Sequence, residues 1–358
     1  MEPHVFQKEA TMEPATRLGS MLAAGLLLAG CYSFNGLNAA EQAIHPNGYA
    51  GLAANAPNPG VFQLADPTRF SQVVAISDVH GMQDALMALL AAGKLIDVQG
   101  HWAGGKTLLL VVGDSIDKGP KSVEVLDVWM RLAQEAGAAG GQVVHLLGNH
   151  EAEFLTNPQN SKTAALQADL QALGLNDAAL TDPTEPRGAY IHQMPIAARV
   201  GDWLFCHAGM YPDMPWSAFA SEATQLLNQG AYGNAFITGD DSILEAKNWW
   251  KHAATRSQYE QRLAAMGIFG VVQGHQPKAY GIIGDVGAID GGHLIKIDNG
   301  MAPEAGAHSG HLLVFPHPAQ MMQASYPQVL EIAPDGSASP VMPLEPTDAK
   351  LAPVDGGD

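Results

Sequence analysis

The chain has 358 residues, of which 47% are hydrophobic and only 15% are charged, against roughly 25% charged in an average soluble domain. It carries 36 acidic and 18 basic residues, for a net charge of −18. This balance argues against a nucleic-acid-binding protein, which needs a basic surface to neutralise phosphates. The high apolar content excludes a disordered chain, and the length suffices for one large domain or two small ones.

The first 31 residues are predicted to be a signal peptide. Residues 18–29 form an apolar run preceded by Arg17. This run is shorter than the roughly 20 apolar residues that span a bilayer, but it suits the core of a signal peptide. It leads into Leu-Ala-Gly-Cys at 28–31, which resembles the lipobox of bacterial lipoproteins, where the cysteine is diacylated. We therefore expect an exported bacterial lipoprotein, held on the periplasmic side of the cell envelope by a lipid on Cys31.

The rest of the chain divides into three predicted parts. Residues 32–70 are rich in Asn, Gly, Ala and Pro without regular periodicity, which is typical of a flexible linker. Residues 71–333 are predicted to form one domain. Residues 334–358 resemble the linker in composition and are predicted to be a loose C-terminal tail.

Within the domain, short runs of β-branched residues and leucine predict buried strands. The predicted strands are 72–76, 107–112, 142–147, 203–206, 270–272, 294–297 and 311–315. Helical patterns at 82–92 and 122–136 separate the first three, which predicts an α/β fold that begins with a parallel sheet. The later strands follow one another with fewer helices, which favours a second, mixed sheet. Residues 152–199 interrupt the series and are predicted to be a small cap inserted over the working face.

Metal-competent side chains directly follow five of these strands. They are Asp78 and His80; Asp114 and Asp117; Asn149 and His150; His207; and His275. Ligands of open α/β sheets gather at the carboxyl ends of the strands, so we expect these residues to converge. Glycines beside almost all of them permit the sharp turns that such loops need.

The residue types indicate a dinuclear metal centre. Two aspartates, three histidines and one asparagine oxygen form a mixed nitrogen and oxygen set that suits Mn, Fe, Zn or Co better than Ca. Six ligands are too many for one tetrahedral site, but they fit two metal ions that share a carboxylate and activate a bridging hydroxide. His150 is then free to protonate the leaving oxygen, and Asp117 would fix its tautomer.

The five motifs together resemble those of the calcineurin-like metallophosphoesterases. In this sequence they read Asp78-x-His80, Gly113-Asp114-x-x-Asp117, Gly148-Asn149-His150-Glu151, His207-Ala208-Gly209 and Gly274-His275. The resemblance covers about residues 72–300. Within the family, the motifs are similar to those of the branch that contains the phosphoprotein phosphatases and the symmetrical diadenosine-tetraphosphate hydrolases. It implies a four-layer α/β/β/α sandwich.

The resemblance also implies roles for individual residues. Asp78, His80 and Asp114 would hold one metal ion, and Asp114, Asn149, His207 and His275 the other. His150 and Asp117 would be the acid pair. Lys118 stands where the phosphoprotein phosphatases have arginine, and with Asn149 we expect it to bind substrate phosphate.

Three functions are compatible with these residues. We favour a metal-dependent phosphatase that acts on phosphomonoesters, with a phosphoprotein or phosphopeptide as the candidate substrate. The alternative is a diadenosine-polyphosphate or polyphosphate hydrolase of the same fold. The sequence Lys118-Gly119-Pro120 resembles that branch of the family. A non-catalytic binding protein is disfavoured because it should lack at least one ligand, and all six are present, with His150 beside them.

Overall fold

The structure is a computed structural model and describes residues 57–344. The predicted signal peptide, Cys31, most of the predicted linker and the end of the predicted tail lie outside the described residues. Within residues 57–344, no helix has both the length and the apolar character needed to cross a membrane.

The described residues form twelve strands and nine α-helices. The strands are β1 Val61–Leu64, β2 Gln72–Ile76, β3 Thr107–Val111, β4 Gln142–His145, β5 Ala197–Val200, β6 Trp203–Cys206, β7 Gly270–Gln273, β8 Gly287–Ile289, β9 Leu294–Lys296, β10 Leu312–Phe315, β11 Leu330–Ile332 and β12 Ala338–Pro340. The helices are α1 Gln83–Ala92, α2 Ser122–Ala138, α3 Asn149–Thr156, α4 Ala164–Ala172, α5 Ala178–Thr181, α6 Pro186–His192, α7 Trp216–Asn228, α8 Ala235–Thr238 and α9 Ala253–Ala265.

The strands form two six-stranded sheets. One sheet has the order β12-β11-β10-β2-β3-β4, with β2, β3 and β4 parallel to one another. The other has the order β1-β5-β6-β7-β9-β8 and is mixed, with β6, β7 and β9 parallel. All seven predicted strands are present to within two residues of their predicted ends, and the predicted parallel and mixed sheets are confirmed.

Side-chain alternation along β2 shows how the layers stack. Val73 and Ala75 belong to a buried cluster with Phe205 and Ile295 of the other sheet, whereas Val74 and Ile76 belong to the cluster that contains the helix side chains. Successive side chains of a strand point to opposite faces, so each sheet packs on the other sheet with one face and on helices with its second face. The α/β/β/α sandwich is thereby confirmed.

The predicted domain boundaries need correction at both ends. β1 pairs in parallel with β5, so the linker does not extend to residue 70, and β12 pairs with β11, so the tail does not begin at 334. Both are short edge strands whose side chains are partly or fully exposed. They therefore lack the buried apolar run by which the other strands were predicted.

The predicted insertion consists mainly of helices that pack beside α2. Arg187 of α6 makes two hydrogen bonds of 2.7 Å to the Asp127 carboxylate of α2, and Asp169 of α4 accepts one from the Val123 backbone. The predicted upper bound of 199 is wrong, because residues 197–200 are β5 of the mixed sheet.

Candidate active site

The loops that follow the parallel strands are joined by backbone hydrogen bonds. Asp78 N donates to Gly113 O at 3.1 Å and His80 N donates to Asp114 O at 2.9 Å, so the pairing of β2 with β3 continues past the ends of both strands. In the other sheet, Gly274 N donates to His207 O at 2.9 Å. These bonds bring the predicted site residues of each sheet to one edge, as the sequence indicated.

The backbone of these loops is strained at the predicted site residues. Among the described residues, positive φ angles of non-glycine residues include Asp78, His80, Asp114, Asp117, Lys118 and His275. Such left-handed conformations are costly for residues with a Cβ and are retained where surrounding structure enforces them, often at functional sites. Gly113 has φ +84°, and a Cβ there would lie 2.6 Å from the Gly148 Cα, so only glycine permits the close approach of the two loops.

The three predicted histidine ligands share one orientation. The Nδ1 atoms of His80 and His207 lie 2.9 Å from the backbone oxygens of Ile116 and Val112. A carbonyl only accepts, so Nδ1 carries a proton in both rings, which leaves Nε2 as the atom that can ligate a metal ion. His275 is bonded to the Glu245 backbone and its buried Nε2 has no hydrogen-bond partner among the described residues. All three Nε2 atoms are therefore available to a metal ion.

These nitrogens converge on the Asp114 carboxylate. Asp114 Oδ2 lies 3.3 Å from His207 Nε2 and 3.6 Å from His80 Nε2, and His275 also lies within ligand-sharing distance of Asp114 and His207. Asn149 Oδ1 lies 3.0 Å from His207 Nε2. Asp114 is thus placed between two groups of donors, as a bridging ligand requires.

Asp78 completes the ring of donors on the His80 side. Its Oδ1 lies 3.9 Å from His80 Nε2, and its carboxylate accepts hydrogen bonds from His275 N and from the Ser77 hydroxyl. Burial, reinforced by the neighbouring Asp298 carboxylate, raises the pKa of Asp78 well above its usual range. A buried group of like charges is costly unless a cation compensates it.

The charge state of His207 also fits a cation site. Burial opposes protonation, but the Asp114 and Asp78 carboxylates outweigh it and raise the pKa of His207 to about 10. A bound metal ion would displace that proton, because only the neutral imidazole is a ligand. The donor set, the buried carboxylates and the lone pair of His275 Nε2 together fit two divalent metal ions.

His150 lies at the same centre with a different partner. Its Nδ1 is 2.8 Å from Asp117 Oδ2, and its Nε2 is 3.9 Å from Asp114 Oδ2. Distance alone would also admit His150 as a ligand beside His80 and Asp114. The backbone of Asp117 is itself held in place, since Asp117 N donates a hydrogen bond to the Ser122 hydroxyl at 3.0 Å. The structure therefore brings the predicted acid pair together.

Two lysines border the buried ligands, of which Lys118 is half-buried and Lys162 is exposed. Lys118 Nζ lies 3.1 Å from His80 Nε2, so the predicted phosphate-binding cation is at the site. Lys162, from the insertion, is 2.6 Å from Glu153. Glu153 is hydrogen-bonded to Glu245, which in turn bonds the Asn149 side chain, and burial and Glu153 raise the pKa of Glu245 to about 7. The sequence did not predict this series of contacts, because Lys162, Glu153 and Glu245 lie far apart in sequence and follow no predicted strand directly.

For two further residues of the centre the sequence predicted less: it indicated only a helix N-terminal carboxylate for Glu151 and no role for Asp298. Glu151 accepts hydrogen bonds from four backbone amides at 2.7–3.3 Å, which are those of Asp114, Ser115, Ile116 and Gly148. It therefore fixes the Asp114 loop against the start of α3, a larger role than that of a helix N-terminal charge. Asp298 is buried beside Asp78. The signal for Asp298 was present, because it follows the predicted strand 294–297 directly.

Comparison with known proteins decides the family. Residues 71–295 match the family model described as calcineurin-like phosphoesterase. The chain belongs to this family. The family assignment agrees with the motifs and with the His and Asp clusters that could bind metal.

Curated relatives in this family include two kinds of phosphoesterase. The chain is 35% identical to Shewanella-like protein phosphatase 2 of Arabidopsis thaliana over 103 residues, which are 26% of each chain. It is 30% identical to the symmetrical bis(5'-nucleosyl)-tetraphosphatase of Vibrio cholerae over 152 residues, 42% of this chain and 48% of that protein. The chain thus spans about a quarter of the length of the Arabidopsis thaliana protein and about half of the length of the Vibrio cholerae protein.

Solved structures show the same fold. The cold-active protein-tyrosine phosphatase of a psychrophilic Shewanella matches with a TM-score of 0.63 and 20% identity, covering 81% of this chain and 84% of that one. A protein serine/threonine phosphatase of Saccharomyces cerevisiae matches with a TM-score of 0.51 and 13% identity, covering 75% and 79%. At these identities the likeness concerns the fold.

Proposed function

We propose that this family member hydrolyses phosphomonoesters, with phosphoproteins or phosphopeptides as its substrate class. The observation that carries the proposal is the convergence of three histidine Nε2 atoms on the Asp114 carboxylate, beside the His150–Asp117 pair. A metal cluster with an adjacent proton donor is what the cleavage of a phosphate ester requires.

Two divalent metal ions, Mn, Fe or Zn, are the proposed cofactors. Asp78, His80 and Asp114 would hold one, and Asp114, Asn149, His207 and His275 the other. When bound, they supply the nucleophile and neutralise the phosphate charge.

The chain's own residues supply the proton and the grip on the phosphate. Asp117 accepts from His150 Nδ1 and so directs Nε2 into the site, where it donates a proton to the leaving oxygen. Lys118 and the Asn149 amide bind phosphate oxygens. Lysine does this as a point charge, whereas an arginine would form paired hydrogen bonds.

The choice of phosphopeptides rests on the relatives that are named protein phosphatases. The 30% identity with a bis(5'-nucleosyl)-tetraphosphatase supports hydrolysis of dinucleoside polyphosphates or polyphosphate as the second candidate. The acidic net charge of −18 speaks against nucleic acid as a partner for either function.

The cellular setting is a further part of the proposal. The lipobox-like residues 28–31 support export to the periplasmic side of the bacterial envelope and attachment to the membrane through a lipid on Cys31. A Cys31→Ser variant should then move from the detergent phase to the aqueous phase on detergent partitioning, and unchanged partitioning would contradict the anchor.

A single substrate panel tests the function. The purified full-length chain is stripped of metal and reloaded with manganese, and kcat/KM is measured on phosphotyrosyl peptide, phosphoseryl peptide, diadenosine tetraphosphate and polyphosphate. We expect the highest value for a phosphopeptide. A preference for diadenosine tetraphosphate or polyphosphate would replace the phosphopeptide proposal with the second candidate, and inactivity on all four would overturn both.

A further inference from the structure

A second group of metal-competent side chains shares no residue with the catalytic centre. It consists of Asp285, His311 and Glu331, each of which offers a ligand atom within 4.8 Å of the others. Asp285 lies two residues before β8 of the mixed sheet, His311 lies directly before β10, and Glu331 lies on β11. The group therefore joins the two sheets at their rim.

The tautomer of His311 is fixed in the form that binds metal. Its Nδ1 lies 2.9 Å from the backbone oxygen of Gly284. Since that oxygen only accepts, Nδ1 carries the proton and Nε2 keeps a lone pair on the side of Asp285. A carbonyl partner behind the ring is the usual support of a histidine ligand, and His80 and His207 have the same arrangement.

The spacing within the group suits an ion better than a hydrogen bond. His311 Nε2 lies 3.9 Å from Asp285 Oδ1, which exceeds the limit of a hydrogen bond. Zinc–ligand bonds are about 2.0–2.2 Å long, so a slight closing of the side chains accommodates one ion. The Asp285 side chain is 64% exposed and is free to close. Glu331 Oε2 accepts from Val286 N at 3.3 Å, and the same carboxylate offers a ligand atom to the group.

The charges favour a cation. Two carboxylates face the His311 ring, and a neighbouring Lys296 ammonium offsets one of them. Lys296 Nζ itself donates to the backbone oxygens of Pro277 and Ile282 at 3.0 and 2.9 Å, so it is held away from ligating. One histidine and two carboxylates form a donor set for a transition-metal ion, with zinc the best match.

We propose that Asp285, His311 and Glu331 bind a divalent transition-metal ion, zinc above all, which links the two sheets at their rim. The ion would hold the turn before β8 against β10 and β11, where Gly284 and Val286 already contact His311 and Glu331. Its role is structural and is independent of the phosphoesterase centre.

The test counts zinc in the full-length chain. Metal-free protein is equilibrated with excess zinc and dialysed, and bound zinc is measured by mass spectrometry for the wild type, Asp285→Asn, His311→Gln and the control His101→Gln. His101 is an exposed histidine that pairs with the single carboxylate of Glu135 at 2.7 Å. Asp285→Asn alters an exposed side chain, so it remains informative if His311→Gln fails to fold.

We expect Asp285→Asn and His311→Gln each to bind one zinc ion fewer per chain than the wild type and than His101→Gln. Zinc should also raise the melting temperature less in these variants, with phosphatase activity unchanged. Equal zinc content in all four proteins would overturn the proposal and assign any additional zinc to adventitious binding. Because the readout is a difference of one ion, it does not depend on the catalytic centre being dinuclear.

Discussion

The candidate active site has two halves that are held in different ways. The metal-ligand half consists of Asp78, His80, Asp114, Asn149, His207 and His275. The other half consists of Lys118 and Lys162; we propose that it faces the substrate and call it the substrate-facing half. In the first, backbone carbonyls orient the imidazoles, and the Glu151 carboxylate binds four amides of the loops. In the second, Lys162 is 44% exposed and depends on one ion pair with Glu153, and such exposed pairs contribute little stability.

This difference indicates how the chemistry and the specificity are distributed. Groups fixed by buried backbone stay in place whichever phosphate ester arrives, so the cleavage step should tolerate a range of substrates. Lys118 is half-buried and Lys162 is exposed, and we expect both to act in substrate binding, with Lys118 on the phosphate. Substitutions in the two halves should therefore separate in kcat and KM.

The largest effect is expected for Asp114→Asn in the metal-ligand half. Asp114 lies between both groups of donors, so its loss should remove metal and reduce kcat/KM by about 10³-fold or more. Metal content and activity are measured on the same preparation, with the exposed Asp84→Asn as the control. Two metal ions retained by Asp114→Asn would contradict its bridging position.

The next largest effect is expected for His150→Ala. If His150 donates the proton to the leaving oxygen, its removal should slow phosphate esters of alcohols by about 10²–10⁴-fold. Aryl phosphates with acidic leaving groups should be affected far less. The ratio of kcat/KM for p-nitrophenyl phosphate and a phosphoseryl peptide measures this, and an equal loss on both would remove the proposed role.

A smaller effect, on KM, is expected in the substrate-facing half. Lys118→Ala removes one charge-assisted contact with the phosphate and should raise KM about 10- to 100-fold, with a smaller change in kcat. Lys118→Arg restores the charge and should recover much of the loss. A fall in kcat at unchanged KM would place Lys118 in the cleavage step and would remove the distinction between the halves.

The smallest effect concerns stability rather than activity. His145 is hydrogen-bonded to Ser115 and to Tyr190 behind the Asp114 loop. Burial lowers the pKa of His145 to about 3. The unfolded chain takes up this proton near pH 6.5 and the folded chain does not, so stability is complete above that pH and declines as the pH falls towards 3. At pH 5 the cost is about 2 kcal/mol.

His145→Gln removes this titration. The variant should therefore lose less unfolding free energy between pH 7.5 and pH 5 than the wild type does. Urea denaturation at the two pH values measures the difference, with His101→Gln as the exposed control. The same loss in the wild type and in His145→Gln would show that His145 does not titrate as described.

Much of the fold could be predicted because its central strands are buried on both faces. Runs such as 108–111 are apolar and buried throughout, and they produce a strong signal. The missed strands β1, β5, β8, β11 and β12 have only three or four residues each. β1 pairs with the remote β5. The other four each pair with a strand adjacent in sequence, but none of them has a continuous run of β-branched residues and leucine.

The sequence predicted which residues form the site, but not the residues and contacts that hold them in position. The predicted ligands all follow strand ends, so the edge rule for α/β sheets located them. Glu151 and the chain of Glu153, Glu245 and Lys162 act through contacts between distant loops. The tautomers of His80 and His207 depend on single backbone oxygens, and no residue pattern encodes those.

The most direct test of the account is the crystal structure of the manganese-loaded full-length protein with phosphate bound. We expect two manganese ions about 3.5–4 Å apart, with the Asp114 carboxylate between them, His150 Nε2 facing the phosphate, and Lys118 in contact with a phosphate oxygen. A single ion at this centre, or two ions that do not share Asp114, would contradict the account.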